Sequence, residues 1–335
     1  MATVQVGILG LGRLGQSIGL ALKRAQKANP KQQFVITGYD ASPASKIDAQ
    51  RRSAIDKGVN HPSDAAAGRQ VVIMTMPYAD VREAYQLAGP SLAPGAVLLD
   101  FSPLTGTTTE WAAKYVPSGA YQINITAVLN PAYLFSGLET AEYAREDLFD
   151  KGMALIMPTA GVPKEAVELA SDMAELMGAE ARFTDPLEHD GIIAATEGVP
   201  ALLAAASFYA LRGLDGWDDA QRAANPNFAR LTHHLTDSHP DDIRDLLMHN
   251  RVAMVRQVDA LMETLDALRG ALVANDSAAL EEALVTSSEA YGEWLARRRT
   301  GDWGDKPGDT ERSGSEMWLT SLLGGYLTKK IKGEK

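Results

Sequence analysis

Residues 4–15 read VQVGILGLGRLG, and this stretch decides the fold of the chain. Its first half is a short run of Val, Ile and Leu, which favours a buried strand. Gly10, Gly12 and Gly15 follow in G-x-G-x-x-G spacing, and apolar residues three and four apart then indicate a helix. A strand, this spacing and a helix, in that order, predict a turn that binds the diphosphate of a dinucleotide. The alternative is a glycine-rich turn in an unrelated α/β protein.

The amino terminus of the helix that follows should hold the phosphates, because its free N–H groups and partial positive charge attract anions. The turn residues expected to contact the dinucleotide are Gly10, Leu11, Gly12, Arg13, Leu14 and Gly15.

Three later strand ends should complete the cofactor site, since ligands bind beyond the carboxyl ends of parallel strands. Asp40 ends the run FVITGYD and is placed to bind the ribose hydroxyls. An acid there repels a 2′-phosphate, so NAD is favoured, with NADP as the alternative. Met76, Pro77 and Tyr78 follow another apolar run, and Ser102, in DFSPLTG, should lie near the nicotinamide. Ser102 could also be a turn residue ahead of a helix.

The chain is expected to have two domains and a tail. Residues 1–184 alternate helical patterns with six apolar runs, which predict strands at 4–9, 34–40, 71–77, 96–102, 120–126 and 153–159. This alternation predicts an α/β Rossmann domain with a doubly wound, mostly parallel sheet. Residues 185–300 show only helical periodicity, and the broad apolar stripe over 241–273 favours an all-α domain that dimerises, or else a plain bundle core. Residues 301–335 suggest a linker and a short tail helix.

Composition narrows the possible functions. A net charge of −11 over 335 residues argues against nucleic-acid binding, and the absence of cysteine excludes disulfides and thiolate chemistry. The six His show no metal-site spacing, so no metal is expected. The amino terminus lacks a signal-peptide pattern, and no apolar run is expected to approach the roughly 18 residues of a membrane span. A cytoplasmic protein without membrane contacts is predicted.

Several segments in order along residues 4–299 resemble the prephenate and arogenate dehydrogenases of tyrosine biosynthesis. Beyond the glycine turn and GYD, they are DFSPLTG (100–106), AREDLFDKGMALIMPT (144–159), PLEHDGIIAAT (186–196), GWDDAQRAANP (216–226) and DIRDLLMHNR (242–251). The resemblance implies an NAD(P)-dependent dehydrogenase whose helical domain forms a homodimer. It also implies that a small anionic substrate binds between the domains.

The departures from that family fall where the chemistry belongs. The family's Gly-His-Pro loop carries the imidazole that accepts the substrate's hydroxyl proton, whereas this chain has Leu129-Asn130-Pro131. Asn130 can hydrogen-bond an oxygen but cannot take up a proton near neutral pH. The Lys that follows the family's Ser segment is replaced by Thr105.

Other residues are therefore candidates for proton transfer and substrate binding. His189 and Glu197 are the candidate proton carriers, expected two turns apart on a similar side of one helix. His189 could instead brace that helix, and Glu197 could simply be solvated. The resemblance assigns Arg222 to a substrate carboxylate, against a plain surface Arg, and Asn250 to the pocket or the dimer contact.

Three functions remain open from the sequence. The leading hypothesis is hydride transfer between nicotinamide and a small carboxylate substrate, with Ser102 and Asn130 orienting its oxygen. The hypothesis of a β-hydroxyacid dehydrogenase or imine reductase has less support. Those enzymes usually place a Lys on the helix that lines the site, and residues 165–305 contain no Lys. The third is a catalytically silent dinucleotide-binding sensor or scaffold.

Overall fold

The structure, a computed structural model, describes residues 2–135 and 140–304. These residues divide into two compact units, 2–189 and 190–304, called here the Rossmann unit and the helical unit. Most of the predicted linker and tail helix, from residue 305 onward, lies outside the described residues.

The Rossmann unit is built on one mostly parallel sheet with strand order β3-β2-β1-β4-β5-β6-β7-β8. Its strands are β1 (Ala2–Leu9), β2 (Gln32–Tyr39), β3 (Lys57–Val59), β4 (Val71–Met74), β5 (Val97–Asp100), β6 (Tyr121–Val128), β7 (Met153–Pro158) and β8 (Glu180–Phe183). Its helices are α1 (Arg13–Ala28), α2 (Pro43–Arg51), α3 (Pro62–Ala66), α4 (Tyr78–Ala88), α5 (Thr105–Tyr115) and α6 (Lys164–Met177). Only the β6–β7 pair among these strands is antiparallel. The predicted fold class is confirmed for this unit.

The strand order reverses at the centre of the sheet. From β1 the chain moves outward to β2 and β3, and then returns to place β4 on the other side of β1. The crevice beyond the carboxyl ends of such neighbouring strands is where open α/β sheets bind ligands. All of β4 and β5 is buried, because helices cover both faces of a parallel sheet.

The boundary between the two units falls within α7 (Pro186–Ile193), and the helical unit begins at Asp190. Its helices are α8 (Val199–Arg212), α9 (Trp217–Ala223), α10 (Pro226–Thr232), α11 (His234–Asp237), α12 (Pro240–His249), α13 (Arg251–Ala274) and α14 (Ser277–Thr300). Within the described helical unit, one hydrophobic cluster of buried side chains comprises Ala194, Ala253 and Met254. The expected helical domain is confirmed.

Three details of the sequence prediction are wrong. The strands β3 and β8 were missed, because one has three residues and the other alternates with Glu and Arg. The single helix expected over 241–273 divides at Asn250, whose backbone leaves the helical conformation. Helices α9 to α11 were not anticipated, because each is shorter than the window of about 11–18 residues over which helical periodicity is recognised.

The expectation that no apolar run approaches membrane-span length also needs correction. The continuous helical stretch Pro186–Arg212 has 27 residues, and an 18-residue window in it reaches a mean hydropathy of 1.5. The stretch has many Ala residues and few charged residues, so its length and composition alone would allow a membrane-spanning helix. A core helix of a soluble protein passes the same test, so this is weak evidence for a membrane.

Candidate functional site

The glycine turn after β1 has no room for side chains. Gly10 has a φ of +97°, and a Cβ added there would lie 2.4 Å from the carbonyl oxygen of Thr75. A Cβ at Gly15 would lie 2.0 Å from the carbonyl oxygen of Gly10. Thr75 also donates its hydroxyl to the Gly10 carbonyl at 2.8 Å. The turn is therefore held tightly between β1 and β4, with bare backbone facing the crevice.

The amino end of α1 suits a diphosphate. Its N-cap is Gly12, which has no side chain to cap the first turn. The first turn has no acidic residue that would oppose an anion. Bare glycine backbone and an uncapped helix start are the features that pyrophosphate binding requires, so the residues present fit a dinucleotide. When bound, its nicotinamide supplies the hydride acceptor or donor.

Asp40 follows β2 and fixes the turn from the opposite side. Its carboxylate accepts the backbone N–H of Leu11 at 2.7 Å and that of Ser42 at 2.8 Å. A carboxylate oxygen can accept more than one hydrogen bond, so Asp40 retains capacity for ribose hydroxyls.

Strand register aligns the remaining cofactor candidates along one edge. Tyr39, Leu9, Met74, Asp100 and Asn124 are successive partners across five strands, so the residues after them share the carboxyl edge. The predicted residues Met76, Pro77, Tyr78 and Ser102 all follow this row.

These edge residues differ in exposure. Met76 is half-buried and Pro77 is exposed, whereas Tyr78 is buried and its ring lies 6.1 Å from that of Trp111. Ser102 is buried, and its backbone N–H donates to the Asp100 carboxylate at 2.8 Å. Ser102 is thus a turn residue between β5 and α5. The same position lies at the carboxyl edge of the sheet, so this role is compatible with a place near the nicotinamide.

A buried acid lies beneath this turn. Asp100 is fully buried and accepts the hydroxyl of Tyr85, also fully buried, at 2.5 Å. Burial raises the pKa of Asp100, while hydrogen bonds from Ser102 and Tyr85 oppose the rise. Burial, and then the neighbouring Asp100, raise the pKa of Tyr85 well above its usual value. Tyr85 therefore stays neutral and serves Asp100 as a donor.

His189 is enclosed at the same edge. Its side chain is fully buried on α7, with Nδ1 3.2 Å from the hydroxyl of Thr105 and Nε2 2.7 Å from the hydroxyl of Thr126. Thr105 begins α5, and Thr126 lies on β6 two residues beyond Asn124. The imidazole thus bridges two structural elements that border the carboxyl edge.

Asn130 is used within its own loop. Its Oδ1 accepts the N–H of Ala132 at 3.0 Å, and its Nδ2 donates to the carbonyl of Asp147 at 3.0 Å. The loop is tied further by Tyr133, whose hydroxyl donates to the Asp147 carboxylate at 2.8 Å. Burial and the adjacent Asp147 raise the pKa of Tyr133. One N–H and one lone pair of the Asn130 amide remain for a ligand.

The candidates in the helical unit are dispersed. Glu197 is exposed in a π-helical turn, Ala194–Gly198, whereas His189 is fully buried, so the two side chains have different surroundings. Arg222 is 76% exposed, with Asp219 3.3 Å away. Asn250 is half-buried and donates to the carbonyl of Asp190 at 2.6 Å.

Two groups at the site were not singled out from the sequence as partners of the candidates. Thr126 was hidden in the strand AYQINIT, and Tyr85 in an ordinary amphipathic helix. Only the position of Thr126 at a strand's carboxyl end could have pointed to it. Among the described residues, no three His, Asp or Glu side chains are grouped to hold a metal.

Both halves of the chain match family models. The model for NADP oxidoreductase, coenzyme F420-dependent, matches residues 5–103, and that for the prephenate dehydrogenase dimerization domain matches residues 185–286. A dinucleotide-binding sheet followed by this helical domain defines the class of NAD(P)-dependent dehydrogenases.

Individual relatives agree along most of the chain. Prephenate dehydrogenase of Bacillus subtilis is 24% identical over 298 residues, covering 88% of this chain and 76% of the relative. Cyclohexadienyl dehydrogenase of Zymomonas mobilis is 21% identical over 292 residues, covering 85% and 94%. The solved prephenate dehydrogenase from A. aeolicus, in complex with hydroxyphenyl propionate and NAD+, shares the fold with a TM-score of 0.75. It is 20% identical and covers 88% of this chain and 99% of its own. These matches confirm the resemblance to the prephenate and arogenate dehydrogenases found in the sequence.

Proposed function

We propose that this NAD(P)-dependent oxidoreductase transfers hydride between nicotinamide and a small carboxylate-bearing substrate at the carboxyl edge of the Rossmann sheet. The observation that carries the proposal is the glycine turn, whose backbone is pressed against β4 while Gly12, the N-cap of α1, supplies no capping side chain. The matched family models and relatives support the same conclusion.

The proposed roles of the side chains follow their positions. Asp40 binds the adenosine ribose and favours NAD over NADP, since its charge repels a 2′-phosphate. Ser102 and Asn130 orient the reacting oxygen, and His189 receives its proton. Arg222 remains the candidate for a substrate carboxylate, because its guanidinium is exposed and could form a bidentate pair. Glu197 and Asn250 are held as secondary candidates, for the proton and the substrate respectively.

We also infer that two copies associate through the helical unit. Val252, Val255, Met262 and Leu265 are exposed along α13, although their spacing is that of a buried helix face. The matched dimerization domain covers all of this helix. A second copy of the chain is the partner that would cover the same face on both molecules.

The test separates binding from turnover. NADH and NADPH are titrated by nicotinamide fluorescence, and NAD+ reduction is then followed with prephenate and with L-arogenate. Tight NADH binding with turnover of either acid supports the proposal. Binding without turnover of these acids or of other hydroxy acids would favour the sensor, and no binding of any nicotinamide dinucleotide would overturn both.

A further inference from the structure

The hydroxyl oxygens of Thr126 and Thr105 lie at different distances from the imidazole nitrogens of His189, and the difference favours one donor in each hydrogen bond. The most common separations are about 2.7–2.8 Å for hydroxyl donors and about 2.9–3.0 Å for N–H donors. The Thr126 oxygen lies 2.7 Å from Nε2, and the Thr105 oxygen lies 3.2 Å from Nδ1. The distances therefore fit Thr126 donating its hydroxyl to Nε2 and Nδ1–H donating to Thr105.

Thr126 is the accessible end of this arrangement. It is half-buried, whereas Thr105 and His189 are fully buried. Asn124 pairs with Asp100, so Thr126 lies two residues beyond the row on β6, just as Ser102 does beyond β5. With its proton directed to His189, the Thr126 oxygen keeps its lone pairs for another donor.

The other candidate proton acceptors of the Rossmann unit are engaged elsewhere. Asn130 cannot accept a proton and is bonded within its loop. The carboxylate of Asp100 is fully buried and takes hydrogen bonds from Tyr85 and Ser102. His61, the second His among residues 2–189, caps α3 on the exposed surface beside Ser63.

We propose that Thr126 contacts the reacting oxygen of the substrate and that His189 acts through it, with Thr105 holding the imidazole in the required tautomer. This inference rests on the proposed function, since it supplies the proton acceptor which that reaction needs. Thr126 is then a catalytic residue, and His189 and Thr105 are its positioning and relay partners.

The proton balance is complete in the direction of substrate oxidation. The substrate C–H hydrogen leaves as hydride to a nicotinamide dinucleotide, and the carbon–oxygen bond becomes a carbonyl. The substrate O–H proton moves to the Thr126 oxygen, while the proton of Thr126 moves to Nε2 of His189. The resulting imidazolium keeps its Nδ1–H hydrogen bond to Thr105 and holds the transferred proton on Nε2 until that proton is released to solvent.

The first test removes the hydroxyl without changing the shape. Thr126→Val should lower kcat with prephenate or L-arogenate by about 10²–10⁴-fold, the range of a lost general base, with the NADH dissociation constant unchanged. Thr126→Ser, which keeps the hydroxyl, should retain most of the wild-type kcat. Thr3→Val, at an exposed position of β1, is the matched control and should behave as wild type.

His189→Gln tests the relay partner. Gln can hydrogen-bond both hydroxyls but cannot accept a proton, so kcat should fall as in Thr126→Val. Wild-type turnover in Thr126→Val, or in a folded His189→Gln, would overturn the inference.

The second test needs no substrate. In protein labelled with ¹⁵N-histidine, long-range proton–nitrogen correlation spectra distinguish the two neutral tautomers, and His189→Gln identifies the signal. The inference requires the Nδ1–H tautomer of His189 in the free protein, and the Nε2–H tautomer would refute it. If the wild-type protein oxidises neither acid, the proposed function fails on those substrates, whereas this spectrum still decides the relay.

Discussion

The two units bury their apolar residues to very different extents. In the Rossmann unit every residue of β4 and β5 is buried, including the acid Asp100. In the helical unit, α13 has 24 residues, of which only Ala253 and Met254 are buried. Both segments are rich in Val, Leu, Ile or Met, so composition does not explain the contrast.

The difference reflects how each kind of element finds a covering partner. A parallel sheet receives helices on both faces from its own crossover connections, so one chain completes the core. A helical domain with few long helices can bury one face within the chain and leave another for a second molecule. The Rossmann unit is therefore complete by itself, and we infer that the helical unit is complete only as a dimer.

The strongest way to break this comparison is to charge the exposed face of α13. Val255→Asp should weaken dimerisation by more than about 100-fold, because it places a carboxylate in an apolar contact at a cost of several kcal/mol on each copy. Sedimentation velocity over a concentration series measures the change. Ala260→Asp, exposed about 140° around the same helix, is the control and should leave the dimer intact. A Val255→Asp protein that sediments as wild type would place the partner elsewhere.

A smaller effect is expected from overfilling the glycine turn. Gly15→Ala should weaken NADH binding by about 10–100-fold, since overpacking against the Gly10 carbonyl costs roughly 1–3 kcal/mol. Fluorescence titration gives the dissociation constant. Gly292→Ala, with open space around its added Cβ, should bind NADH as wild type does. Unchanged affinity in Gly15→Ala would mean that the turn does not contact the diphosphate.

The smallest expected effect concerns the buried acid of the Rossmann unit. Since burial raises the pKa of Asp100 in the folded protein, the folded state binds its proton more strongly than the unfolded state. The contribution of Asp100 to the free energy of unfolding is therefore lost as pH rises from about 4 through the raised pKa, by at most about 1.4 kcal/mol per pH unit.

Asp100→Asn has no such titration, so the stability of the wild type relative to this variant should decrease as pH rises. Urea unfolding at a series of pH values measures the difference. Parallel stability curves for the two proteins would show that Asp100 titrates alike in the folded and unfolded chain.

Much of the fold could be derived from the sequence because its signals are local. The glycine spacing after a strand specifies a tight turn that leaves no room for side chains. Gly10 has a positive φ, and a Cβ added at Gly10 or Gly15 would collide with backbone atoms. Apolar runs of four to eight residues identified six of the eight described strands. The change to helical periodicity near residue 185 likewise predicted an all-α second half, which the helices α8 to α14 form.

The site was less predictable, because its contacts join residues far apart in sequence. Asn130 was visible as a departure from a family pattern, but its hydrogen bonds to Asp147 and Ala132 were not. The π-helical turn that contains Glu197 also makes a distant contact, since Gly198 lies against Met254. No local pattern encodes that contact.

By itself, the sequence determined a dinucleotide turn, a parallel sheet, a helical second half and the absence of the family's imidazole from the loop at Asn130. Those features depend on residues adjacent in the chain or on their simple periodicity. Only the tertiary structure placed His189 between Thr105 and Thr126, which are 84 and 63 positions away, and Tyr85 against Asp100. Hydrogen bonds of that kind form only after strands and helices have packed, because the packing alone sets the distances between such groups.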